Sequence, residues 1–179
     1  MAHASRVSSV AAVAMFLGAV VAANMAVAAY GQLALVFTAW VVIPFDMLTR
    51  DLLHEKWRGD RLALRMGSLV LTGGLITVAI NHASWRIAIA SCIAFAMAMT
   101  VNSLVFERLI HRSRFVRMTA SNAAAAVVDS IAFPAIAFMS INVSLSAWQA
   151  VSKTLGGVAW TAAALYIFAR RNARSDSTH

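Results

Sequence analysis

Six apolar runs, each long enough to cross a hydrocarbon layer, follow one another along the chain with short polar breaks between them. They fall near residues 8–29, 31–49, 64–81, 86–106, 119–140 and 147–169. A run of this kind satisfies its backbone internally as a helix, which the waterless bilayer core requires. The pattern therefore predicts an all-α polytopic membrane protein, a bundle of six transmembrane helices forming one domain over 1–179. Only Tyr30-Gly31-Gln32 separates the first two runs, so a tight turn is expected there.

The polar breaks orient the bundle. Arg6 precedes the first run; Arg50, Lys56, Arg58, Arg61 and Arg65 follow the second; Arg108, Arg112, Arg114 and Arg117 follow the fourth; Arg170, Arg171 and Arg174 follow the sixth. With six spans all of these fall on one side, and the other side has only Arg86 and, a little inside the last run, Lys153. Lys and Arg accumulate in short cytoplasmic loops, so both termini are expected in the cytoplasm, with the protein multi-pass in the cell (inner) membrane. Ala26-Val27-Ala28 after an Ala/Val-rich run imitates a signal-peptide cleavage site. The run exceeds a normal signal core, and cutting it would leave five spans, so a retained first helix is the expectation.

Composition changes the picture little. Hydrophobic residues make up 61% of the chain and charged residues 12%, far too few for a water-soluble domain. The net charge of +8 would suit nucleic acid only if it gathered on a folded polar face, whereas here the basic residues sit between apolar runs. Cys92, the single cysteine, can form no intrachain disulfide and reads as a small buried hydrophobe. No HxxxH, CxxC, GxSxG or phosphate-loop pattern occurs, so metal, cofactor and nucleophilic chemistry have no support.

Candidate chemistry concentrates in the fifth run, S-N-A-A-A-A-V-V-D-S-I-A-F-P-A-I-A-F over 121–138. Asp129 stands near its middle, and a carboxylate at that depth costs several kcal/mol unless paired, protonated or facing a wet cavity. Asn122 lies seven residues earlier and Phe133 four later, which places all three near one helical face, as in a helix lining a substrate path. Lys153 is the other deep charge, with Asp129 roughly 15 Å and Lys153 roughly 10 Å below the outer surface at about 1.5 Å per residue. It either snorkels outward or reaches Asp129. Asn102 and Asn24 add amides at membrane depth, for a ligand or for a neighbouring helix.

Pro44 is expected to kink or loosen the second helix one turn above Asp46, an acid deeper than its neighbours and able to pair with Arg50 four residues on. Arg50, Glu55, Lys56 and Arg58 read as a charged helix end snorkelling into the interface. With Pro134 in the fifth helix, Pro44 also admits an inverted-repeat plan, although the halves show no similarity in sequence. Ala123 to Ala126, Gly73-Gly74 and Gly156-Gly157 permit close helix approach. Trp40, Trp85, Trp148 and Trp160 read as packing or interface anchors.

Three stretches resemble the queuosine precursor transporters, the vitamin-uptake-transporter-type family. The first is P-F-x-x-L-x-x-D-L at Pro44, Phe45, Leu48, Asp51 and Leu52, followed by Glu55, Trp57 and Gly59. The second is S-N then D-S-x-x-F-x-x-I-A-F, at Ser121, Asn122, Asp129, Ser130, Phe133, Ile136, Ala137 and Phe138; the third is Lys153 early in the last helix. The chain departs from the family in clipped loops, one extra residue between Glu55 and Gly59, and the acid at Asp46.

Such a resemblance implies a six-helix inner-membrane importer of 7-deazaguanine bases, the preQ0/preQ1 type of queuosine precursor. The substrate-binding set expected is Asp129, Asn122, Phe133, Lys153, Asn102, Phe45 and Asp46, with Asp129 as principal ligand or proton-coupling group. A carboxylate can receive the donor-rich guanine edge with two parallel bonds, and an aromatic ring can cover the flat base. The expected partners are that small molecule and the lipid bilayer, with either a homo-oligomer or a separate energising subunit open, since no ATP-binding motif is present. The alternative reading is a non-transporting scaffold or assembly protein whose buried charges lock helices together.

Overall fold

The computed structural model describes residues 9–43, 45–46, 49–50, 53, 57 and 61–176. Its elements in chain order are α1 (Ser9–Tyr30), α2 (Gln32–Trp40), α3 (Leu62–Ile80), a short 3₁₀ turn (His82–Ser84), α4 (Trp85–Arg108), α5 (Arg114–Phe138) and α6 (Val143–Asp176). Among the described residues there is no strand. α1, the stretch His82–Arg108 and the stretch Thr119–Phe138 are each long and apolar enough to cross a membrane.

The helices begin and end where local chemistry dictates. Gly31 carries the expected tight turn at φ 59° and ψ −139°, a conformation essentially confined to glycine that costs other residues on the order of 1–3 kcal/mol. Its N–H donates to the Val27 carbonyl at 2.8 Å, closing α1. The Ser113 hydroxyl accepts from the Val116 N–H at the start of α5, and Asn142 Oδ1 accepts from the Leu145 N–H at the start of α6. Both helices overrun their apolar runs, α5 by beginning at Arg114 and α6 by extending to Asp176. At about 1.5 Å per residue α6 is roughly 51 Å long, well beyond a 30 Å hydrocarbon core. An apolar run marks what is buried in lipid, whereas a helix ends where its backbone finds caps.

The second helix is interrupted at Val41, whose backbone (φ −110°, ψ −56°) leaves the regular helix. Helical backbone resumes at Val42 and Ile43 and is seen at Phe45, Asp46, Thr49, Arg50 and Leu53. Loosening of the helix above Asp46 is thus present, although Pro44 itself lies outside the described residues, as do Leu48, Asp51, Leu52, Glu55, Lys56, Arg58 and Gly59. In α5, Pro134 is fully buried inside the helix, and the Ser130 carbonyl loses its usual i+4 donor there.

Packing is inverted relative to a water-soluble protein. Leu33, Leu64, Leu75, Ile80 and Val143 are exposed, whereas Asn24, Thr77, Ser130, Gln149, Ser152 and Lys153 are buried. Lipid solvates the large aliphatic side chains as well as a protein core would, so close approach falls to small residues. Most of the buried apolar residues are alanine, and Ala90, Ala94 and Ala98 form a seam one turn apart on α4, the helix that packs most extensively on α5. Gly73 touches α1 so closely that a Cβ there would stand 2.9 Å from Val20 Cγ1; one at Gly74 would stand 3.1 Å from Cys92 Sγ on α4. The expected packing role of Gly73-Gly74 is therefore seen in the helix contacts. Trp40, Trp85 and Trp148 are exposed, as befits interface anchors; the Trp160 side chain lies outside the described part.

Two apolar clusters brace the bundle. One joins Val27, Leu35, Ala90, Ala94, Phe133 and Ala137 across α1, α2, α4 and α5. The other joins Phe16, Leu53, Met66 and Val70, with Phe16 edge-on to Phe95 at 6.4 Å. Between them lies a cavity.

Candidate functional site

The cavity, of about 100 Å³, is walled by residues of every helix. Since a single water needs about 10–15 Å³ on this scale, several waters or one small ring system can occupy it. Much of its wall is apolar, with Ala19, Val20, Ala23, Val27, Val70, Phe95 and Phe133 among the lining residues. Into this apolar wall are set four ionisable side chains, Asp46, Arg50, Asp129 and Lys153, with Gln149, Asn24, Thr38 and Ser91.

Asp129 and Lys153 form an ion pair, Lys153 Nζ donating to Asp129 Oδ2 at 2.6 Å. The lysine side chain is 6% exposed and the aspartate side chain 27%, so the carboxylate is the member that faces the open space. Of the two possibilities open to Lys153, the structure takes the pair and not the snorkel. A buried pair is costly to half-remove, on the order of 3–5 kcal/mol, because the survivor stays in a low dielectric without its counter-charge. Only one carboxylate oxygen is engaged by the lysine. Phe133, one turn on along α5, lies in the same wall, with its ring edge-on to Phe138 at 6.5 Å.

Asn122 does not join them. Its Oδ1 accepts from Asn102 Nδ2 at 3.0 Å and from an Arg50 terminal nitrogen at 3.4 Å, tying α4, α5 and the second helix together. Neither Asn122 nor Asn102 is in the cavity wall; the seven-residue step from Asp129 carries Asn122 roughly 10 Å along the helix axis. Asn24 Nδ2 donates to Thr77 Oγ1 at 3.3 Å, and that hydroxyl donates to the Gly73 carbonyl at 2.8 Å, linking α1 to α3. Phe45 is half-buried outside the wall. Asp46 is buried and in the wall.

Arg50 corrects the sequence reading. It is 5% exposed, donates to Met99 Sδ at 3.7 Å and to Asn122, and lines the cavity, so it does not snorkel to the interface. Its acceptors come from α4 and α5, which are distant in sequence, and no local pattern announces them. Gln149 was missed altogether. It stands four residues before Lys153 and so on the same face of α6, and that spacing was the one available signal. Among the described residues no group of three or more His, Cys, Asp or Glu side chains is placed to hold a metal ion.

Long apolar helices gathered around a cavity with paired charges are the architecture of a helical membrane transporter. A family model described as "Putative vitamin uptake transporter" matches residues 3–168, and the chain belongs to that family. It is accordingly a membrane protein of transporter type, in agreement with the resemblance drawn from its motifs. No curated protein and no solved structure matches it.

Proposed function

We propose that this protein imports a small planar solute across the cell inner membrane, and that the solute is a 7-deazaguanine precursor of queuosine. The bundle crosses the bilayer six times with both termini in the cytoplasm, and Asp129 is the principal ligand or proton-coupling group. The observation that carries this reading is the Asp129–Lys153 pair at the wall of a cavity bounded by every helix, with Phe133 beside it. The two acids and two bases of that wall balance formally, which suits an uncharged deazaguanine of the preQ0 kind better than the cationic preQ1. A donor edge on the base takes the unengaged Asp129 oxygen, while Lys153 retains or yields the other.

The alternative, a scaffold in which the pair merely locks α5 to α6, accounts for the ion pair but gives the cavity no purpose. The two are separated in cells that neither make queuosine precursors nor carry an importer of their own. Expression of this chain restores queuosine-modified tRNA from low external precursor if the proposal holds. Well-inserted protein giving no rescue with any deazaguanine overturns the substrate assignment.

A further inference from the structure

Buried amides are hydrogen-bonded almost without exception, because an unmet donor in an apolar surround costs on the order of 1–3 kcal/mol. Gln149 is such an exception. It is 1% exposed, its Nε2 is buried, and among the described residues nothing accepts from that nitrogen. It sits in the cavity wall one turn from Lys153, whose ammonium in turn holds Asp129. Arg50 Nε is a second buried donor without an acceptor in the same wall. The cavity thus presents surplus donors beside a carboxylate that has one oxygen to spare.

That arrangement is complementary to a cyclic amide, a flat ring in which an N–H adjoins a C=O. We infer that Gln149 is a specificity-determining residue, its carboxamide donating to the ring carbonyl of the solute while Asp129 accepts the neighbouring ring N–H. The inference rests on the reading of the cavity as the solute site and adds to it the feature by which the solute is chosen. A site built to donate to a carbonyl rejects a ring lacking one, since the protein donor is then left buried and unmet. Shape and stacking on Phe133 alone would not make that distinction.

The test uses the full chain purified in detergent and two cyclic amides, a 7-deazaguanine and pterin, each beside its analogue lacking the ring carbonyl. Titration calorimetry of wild type should show at least one cyclic amide bound roughly fivefold or more tightly than its analogue, the scale of one net hydrogen bond. In Gln149→Met, of similar length, that preference should vanish while the analogue binds as it does to wild type. The unliganded melting temperature of Gln149→Met should equal or exceed that of wild type, because an unmet polar group has been removed from an apolar wall. Gln149→Asn, which keeps the amide but withdraws it, should lose the preference in the same way.

A fall in unliganded melting temperature in Gln149→Met, with both members of a pair weakened alike, would assign Gln149 a structural role and overturn the inference. So would a preference for the carbonyl that survives both substitutions, or the absence of binding to either cyclic amide by wild type. Pterin bound with the expected preference and deazaguanine not bound would remove the proposed substrate and leave Gln149 in its role.

Discussion

Replacing Asp129 by Asn separates a transporting carboxylate from a structural one, because it keeps the size of the side chain and removes only its charge. Lys153 would be left as an ammonium 4% exposed, with its 2.6 Å partner neutral. Stranding one member of a fully buried pair costs about 3–5 kcal/mol; since the aspartate side is 27% exposed toward the cavity, the expected loss is about 3 kcal/mol. Asp129→Asn/Lys153→Met removes both charges and should recover most of that loss, leaving stability within about 1 kcal/mol of wild type. The measurement is thermal unfolding in detergent for both variants beside wild type, with uptake of labelled deazaguanine in cells at matched membrane levels. Stability should fall and return; uptake should be lost in both, because neither retains the carboxylate. Uptake restored in the stable double variant would show that the pair serves folding alone and refute the role given to Asp129. An Asp129→Asn protein as stable as wild type would refute the electrostatic argument itself.

Three further outcomes follow from other parts of the bundle. Gly73→Ala should destabilise by about 1–3 kcal/mol, because its Cβ meets Val20 Cγ1 at 2.9 Å, and Val20→Ala should recover much of the loss in the same unfolding assay. Gly31→Val and Gly31→Asn should each lower stability by at least about 1 kcal/mol, because φ 59° with ψ −139° lies outside the left-handed helical well that Asn tolerates. For topology, single cysteines on a Cys92→Ser background at the exposed positions His82 and Ser144 should react with an impermeant external reagent, and those at Arg61 and Arg112 should not. Labelling of His82 and Arg61 from the same side would end the six-span model.

Much of the architecture was legible because membrane insertion is read from one-dimensional quantities. The lengths of the apolar runs placed α1, α3 and α4 to within a few residues of where they lie, though not the start of α5, and the Tyr30-Gly31-Gln32 break gave the turn. Asp129 and Phe133 were legible for a related reason. A charge in the middle of an apolar helix is improbable without a purpose, and a four-residue step shares its face.

What the sequence left open were the choices made between helices. Lys153 had two acceptable addresses, and the tilt and approach of α6 to α5 selected the one 2.6 Å from Asp129. Asn122 shares a helix with Asp129 but belongs to a different cluster, because Arg50 and Asn102 arrive beside it from other segments. Arg50 looked like a helix-end charge bound for the interface, yet acceptors from α4 and α5 hold it in the wall. Gln149 carried no signal beyond its spacing from Lys153, since an unmet donor is a property of its surroundings. Hydrophobic runs report a residue's transfer into lipid, which depends on the residue and its neighbours in sequence. Partners at the cavity depend on how separate helices are juxtaposed, and only the packed bundle decides that.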